Sequence, residues 1–158
     1  MANTQSMCTS FMGELMTGTH NFGTAPIRSV TTPDTFKGAL YLASASLSAA
    51  TTAYSATGEV TGSGYSAGGV TVTNATAPIA TNSSTTAGVA YWTPSASLVY
   101  TTVTLTTAFD TVLIYNSTQS NKAVSVHTFG SQTITAGTFT LTMPANTTTT
   151  ALLRLATT

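Results

Sequence analysis

The residues best placed to do chemistry lie in the GYSAG segment, residues 64–68, which matches the G-x-S-x-G pattern that presents a nucleophilic serine at a strand-to-helix elbow. Ser66, Asp110 and His127 also follow one another in the serine, acid, histidine order of a hydrolase. The context argues against catalysis. An elbow needs a helix after the serine, yet Gly69 leads straight into the alternating run GVTVT, so the glycines read better as a hairpin turn requiring positive φ. Glu59 and Asp110 are the carboxylate pair that glycoside hydrolysis would need, but nothing in the sequence brings them together.

Metal and modification chemistry fare no better. His20 lies in a loop and His127 on an alternating segment, with no Cys nearby and carboxylates only at Glu14, Asp34, Glu59 and Asp110. That is no recognisable zinc or iron set, and each His is expected to be hydrogen-bonded or solvated. Sequons stand at Asn74, Asn82, Asn116 and Asn146, little more than chance supplies in a chain so rich in Ser and Thr. The chain is therefore read as non-enzymatic, with no catalytic, cofactor-binding or metal site and no cofactor.

The elements that would position these residues are mainly strands. Residues 5–17 are the helical candidate, with Met7, Phe11 and Leu15 recurring at i, i+4 and i+8 and Met12 and Met16 alongside. These five are the candidate partner-docking residues, although the same apolar segment would equally cap its own sandwich. A Gly, Pro and Thr connection follows at 18–35. Alternation or β-rich composition then marks strands at 36–43, 57–61, 69–76, 88–92, 97–106, 109–116, 122–129, 131–135, 138–143 and 149–156. Residues 44–53 and 77–87 read as soft loops, and 116–121 and 135–137 as hairpin loops. The expectation is an all-β, single-domain β-sandwich, jelly-roll-like, with about 8–10 short antiparallel strands and a short N-terminal helix or arm. Residues 1–35 form the arm and connection, and 36–158 the sandwich.

Composition narrows the partners. Only 5% of the 158 residues are charged, with four basic and four acidic side chains, while about 38 Thr and 17 Ser make up roughly a third of the chain. Four cations and no net charge cannot neutralise a run of phosphates or hold an anionic bilayer, so nucleic-acid and membrane-surface partners are excluded. No stretch approaches the 18 or so apolar residues of a spanning helix. The start of the chain lacks the layout of a secretory signal, which points to synthesis in the cytoplasm. Cys8 is the only cysteine, so no intrachain disulfide forms. Thr suits a pleated surface, its branched carbon packing on the sheet and its hydroxyl facing water. Strand edges are normally guarded by Lys, Pro or inward-facing charge, and eight charges over about ten strands leave most edges unguarded. Such a chain is expected to pair or dock its edges.

Three segments together carry a resemblance: residues 8–22 (CTSFMGELMTGTHNF), 34–74 and 109–144. The ordered motifs KGALY, TGEVTGSGYSAGG and LIYNSTQSNKA are the most specific parts. In these the chain resembles a family of small tailed-bacteriophage virion structural proteins, of the capsid cement or decoration type. The resemblance implies a non-enzymatic protein on the capsid surface of a virion. Its implied partners are the major capsid protein and copies of itself, as a dimer or trimer. The alternative it leaves open is a tail, neck or head-fibre component with host-surface adhesion through loops such as 44–57, 77–87 and 116–121.

Overall fold

Alternating Thr and apolar residues dominate the second half of the chain, and there they build two unusually long strands. In chain order the elements are β1 (Ser6–Met7), α1 (Thr9–Met16), β2 (Phe36–Leu42), β3 (Val70–Thr71), β4 (Ile79–Thr81), β5 (Val89–Trp92), β6 (Leu98–Asn116), β7 (Lys122–Leu141) and β8 (Leu153–Ala156). This computed structural model describes residues 2–16, 18–23, 32–73, 77–81 and 88–156. The strands form two antiparallel sheets, a five-stranded one in the order β1-β7-β6-β2-β3 and a three-stranded one in the order β4-β5-β8. The fold is all-β and sandwich-like, with one short helix among the described residues.

The β6–β7 ribbon supplies both faces of much of the core. Extended at about 3.3 Å per residue, a straight β6 would hold Tyr100 roughly 45 Å from Ile114. Instead Gly38, which pairs with Ile114, accepts a hydrogen bond from the Tyr100 hydroxyl at 2.8 Å. The ribbon therefore folds back over β2. Its bend lies where the β6–β7 register slips repeatedly between Tyr100 and Thr111, with Thr102 (φ 52°) and Ala136 (φ 48°) in the left-handed region. Bulges of this kind insert unpaired residues and sharpen strand curvature. Burial follows the bend: Leu98, Tyr100, Val103 and Leu105 alternate with exposed or half-buried neighbours, whereas 111–116 are buried on both faces.

Several sequence expectations change here. The runs 97–106 and 109–116 are one strand, as are 122–129, 131–135 and 138–143, because bulges rather than turns absorb the small polar interruptions. Residues 135–137 are accordingly part of a bulge, not a hairpin loop. Within the proposed 5–17 helix, residues 6–7 are extended and paired with Val126 and Ser125 of β7, and the helix starts at Thr9. Inside the 77–87 loop, Ile79–Thr81 pairs with β5, and residues 82–87 lie outside the described residues. The 57–61 strand reduces to an isolated bridge between Glu59 and Tyr41, and the 69–76 strand to Val70–Thr71, with 74–76 outside the described residues. The 149–156 strand begins only at Leu153, because the Thr147 hydroxyl takes the amides of Thr149 and Thr150 into a local turn.

An aromatic group joins the layers. Phe22 stacks on Phe36 with ring centroids 4.4 Å apart and meets Trp92 edge-on at 4.8 Å, while Phe11 of α1 meets Phe22 at 5.8 Å. Such pairs contribute about 0.5–1.5 kcal/mol each beyond their burial. The helix is thereby fixed on its own sandwich through Phe11. Gly13, on its outer side, has nothing within 4 Å of where a Cβ would stand. Gly13→Ala should therefore stabilise the protein by about 0.5–1 kcal/mol. A higher denaturant midpoint with unchanged slope checks this, and no gain would mean that α1 contributes little to the cooperative fold.

Candidate functional site

The GYSAG segment is a turn. Over residues 56–69, ahead of β3, the chain makes three successive turns, closed by Glu59 N–H to Ala56 C=O (3.2 Å), Tyr65 N–H to Gly62 C=O (3.3 Å) and Gly69 N–H to Ser66 C=O (2.9 Å). Each carries at its third position a glycine with positive φ, at 80° for Gly58, 77° for Gly64 and 88° for Gly68. That is the chemistry of turns whose third residue must be left-handed. Ser66 is exposed in the last of them.

Its supposed partners are engaged elsewhere. Asp110 Oδ1 accepts from Asn3 (3.1 Å) and Thr111 (2.7 Å), and His127 Nε2 shares a hydrogen bond with Ser125 Oγ at 2.8 Å. Ser66 borders a recess of about 220 Å³ with Val99 and Thr101, while His127 borders a separate one of about 170 Å³ with Phe129 and Met143. No triad is assembled. Glu59 and Asp110 likewise share no partner.

Glu59 is the organising residue that sequence reading missed. It is buried, and its carboxylate accepts from the Tyr54 hydroxyl (2.6 Å), the Tyr65 hydroxyl (2.7 Å) and the Gly68 amide (2.7 Å). Around this cluster Tyr65 also accepts from Leu40 N–H (3.0 Å), Tyr115 donates to Gly68 C=O (2.8 Å) and Tyr41 donates to Ser55 C=O (2.5 Å). Burial first, then the adjacent carboxylate, pushes the Tyr54 and Tyr65 hydroxyls well above the ordinary tyrosine value, so both remain donors. The cluster ties the glycine turns to β2 and β6. Every carboxylate oxygen is committed to a protein donor, which makes it a structural lock rather than a reactive centre.

A second polar network fastens the N-terminal arm. Glu14 on α1 accepts from Lys122 (2.5 Å) and pairs with His20 Nε2 at 2.7 Å, while His20 Nδ1 meets the Asn116 side-chain amide at 3.0 Å. The same amide donates to Asp34 at 2.7 Å, and Asn116 Oδ1 caps the amides of Thr118 and Gln119. An Asn116 amide donor at Nδ1 requires the neutral imidazole tautomer with its proton on Nε2. Burial keeps His20 below the usual histidine range despite the pull of Glu14. Burial raises Glu14, but the bonds from Lys122 and His20 outweigh it and hold the carboxyl below its usual value. Asn116 is fully buried and bonded through both side-chain atoms, so its sequon is closed to glycosylation. Asn146 is half-buried, and Asn74 and Asn82 lie outside the described residues.

The candidate docking residues divide. Phe11 is buried, Met7 and Leu15 are half-buried against the core, and Met12 and Met16 are exposed, Met16 at 88%. Met7, Phe11 and Leu15 also form one wall of an apolar cleft of about 80 Å³ whose other wall includes Tyr91 and Leu155. Cys8 is fully buried, and burial followed by the nearby Glu14 charge pushes its thiol up to about 11.

His127 provides a pH test. Burial lowers its pKa to about 4, against an unfolded value near 6.5. A depressed folded pKa contributes stability that is full above about 6.5 and is lost as pH falls through about 4. Relative to His127→Gln, the wild type should lose on the order of 1–2 kcal/mol between those limits, after discounting for solvent at the half-buried ring. Urea unfolding across that interval measures it, and parallel pH profiles for the two proteins would contradict it.

Among the described residues no group of three or more His, Cys, Asp or Glu is placed to hold a metal ion, and no helix is long and apolar enough to cross a membrane. No family model, curated protein or solved structure matches this chain.

Proposed function

We propose that this chain is a non-enzymatic structural protein of a phage virion, acting as a capsid cement protein that binds and stabilises the assembled major-capsid lattice. The observation that carries the reading is a sandwich-like β fold whose outer strands are almost free of charge. The eight strands among the described residues contain only Lys37, Asp110, Lys122 and Arg154 as charged residues, and of the four edge strands β1, β3 and β4 contain none while β8 carries Arg154. Such edges present unpaired backbone donors and acceptors with no electrostatic guard, and they suit a protein that ends up paired in an assembly. The polar clusters around Glu59 and Asn116 serve rigidity, as a building block requires.

Stabilisation follows by mass action. A protein that binds only the closed shell lowers its free energy relative to any open form, and many weak contacts repeated over a lattice add through avidity. Copy number per particle tests the assignment. A count that scales with the capsid lattice supports cement, and a count fitting a single ring or fibre assigns the chain to the tail, neck or head fibre instead.

A further inference from the structure

We propose that two copies of this chain pair edge to edge along Gly137–Leu141, the distal end of β7. On one side the last three residues of this segment pair in register with β6, Leu141 opposite Leu98, Thr140 opposite Val99 and Phe139 opposite Tyr100, and Gly137 pairs with Val103 after a slip of one residue. On its other side β7 is covered by β1 only at Ser125 and Val126. Among the described residues no strand pairs with the outer edge of 137–141. Outward-pointing amides and carbonyls there are an open template for another strand.

The occupant is a second copy because this edge can face itself. Across a two-fold axis each residue meets its own kind of surface, so any net charge would repel. Residues 131–141, SQTITAGTFTL, contain neither a charge nor a proline. The left-handed Ala136 precedes the segment, and the extra residue between the Tyr100–Phe139 and Val103–Gly137 pairs lies on β6, so β7 itself continues without an insertion. Antiparallel pairing centred on Phe139 sets Thr138 opposite Thr140 on the exposed face, a favourable cross-strand pair. On the other face Phe139, already 5.1 Å from Phe109 and 5.4 Å from Phe129, continues the apolar layer into the second copy. The inference deepens and rests on the pairing of unguarded strand edges in the function proposed above. Its test uses the isolated protein, so failure of self-pairing and failure of shell binding are separate results.

The experiment compares the full-length wild type with Thr138→Lys/Thr140→Lys by sedimentation equilibrium and amide hydrogen exchange. Both positions are exposed, and unchanged thermal melting of diluted samples verifies that the variant folds. Ser46→Lys, at an exposed site away from this edge, is the control. The wild type and the control should dimerise with slow exchange in 137–141. The lysine pair should raise the dimer dissociation constant by roughly a hundredfold and release those amides, because it sets like charges about 5 Å apart. A wild type that stays monomeric, or a dimer that tolerates both lysines, would overturn the proposal. So would a dimer whose 137–141 amides exchange at solvent rates, which would identify another surface.

Discussion

Gly69→Ala should lower stability by roughly 3–5 kcal/mol and the melting temperature by on the order of 10 °C. Two costs add at this site. Gly69 has φ of 72°, which a residue with a Cβ adopts only with strain. A Cβ there would also overlap the Gly38 carbonyl oxygen and carbon and the Ala39 Cα, all backbone atoms of β2 that cannot rotate aside. Relief would require the third turn to lift from the sheet, breaking the Gly38–Val70 and Lys37–Thr71 pairing. Chemical denaturation of the variant measures the cost. A loss under about 1 kcal/mol would mean that the turn is not held against β2 as described.

Glu59→Leu should cost about 3–5 kcal/mol despite similar side-chain size. The substitution removes one acceptor group and strands three donors at once: two tyrosine hydroxyls and the buried Gly68 amide. Unpaired buried donors lose their water without compensation, and that loss outweighs the gain from burying an apolar group. Glu59→Gln retains one carbonyl oxygen but turns an amide donor toward hydroxyls that are themselves donors, so it should fall between Leu and wild type. Equal stability of Glu59→Leu and wild type would show that the cluster contributes nothing to holding the turns. The Glu59 and Gly69 effects should also be less than additive, because both act by freeing the same loop.

Local features of the fold were legible in the sequence where the physical cause is local. The alternation through residues 98–105 marks a strand because one face of that stretch is buried and the other is wet, whereas 111–116, buried on both faces, reads as a nearly continuous apolar run. The glycine turn around Ser66 was legible for the same reason, since Gly68 and Gly69 occupy backbone space that other residues avoid. The continuity of β6 through Thr106–Ala108 was not legible. Small polar residues look alike in a turn and in a bulge, and only pairing with β7 decides between them. Ala136 misled in the same way, as its left-handed backbone serves a bulge in a chain that continues forward.

The polar clusters were hidden for a different reason. Asn116 meets His20 and Asp34 across sequence separations of 96 and 82 residues, which no local pattern records. Glu59 left one usable trace: a single carboxylate among glycine turns and tyrosines, in a chain with four acidic residues, must either face water or be fully bonded. Met7, Phe11 and Leu15, spaced as a helical stripe, all pack against the core, although only Phe11 and Leu15 lie on α1. The spacing did not reveal that Met7 belongs to a strand, because edge pairing with β7 overrides helix propensity there.

The central claim is lattice binding by a nearly uncharged surface, and adding purified protein to undecorated capsids at low and at high salt tests it most directly. Apolar burial and backbone hydrogen bonds are screened little by salt, whereas exposed charge pairs weaken once the Debye length falls to a few ångströms. Saturable binding with an affinity nearly constant across the salt range, together with capsids that better resist heat or disruption, is the predicted result. Absence of binding, or binding that disappears at high salt, would contradict it.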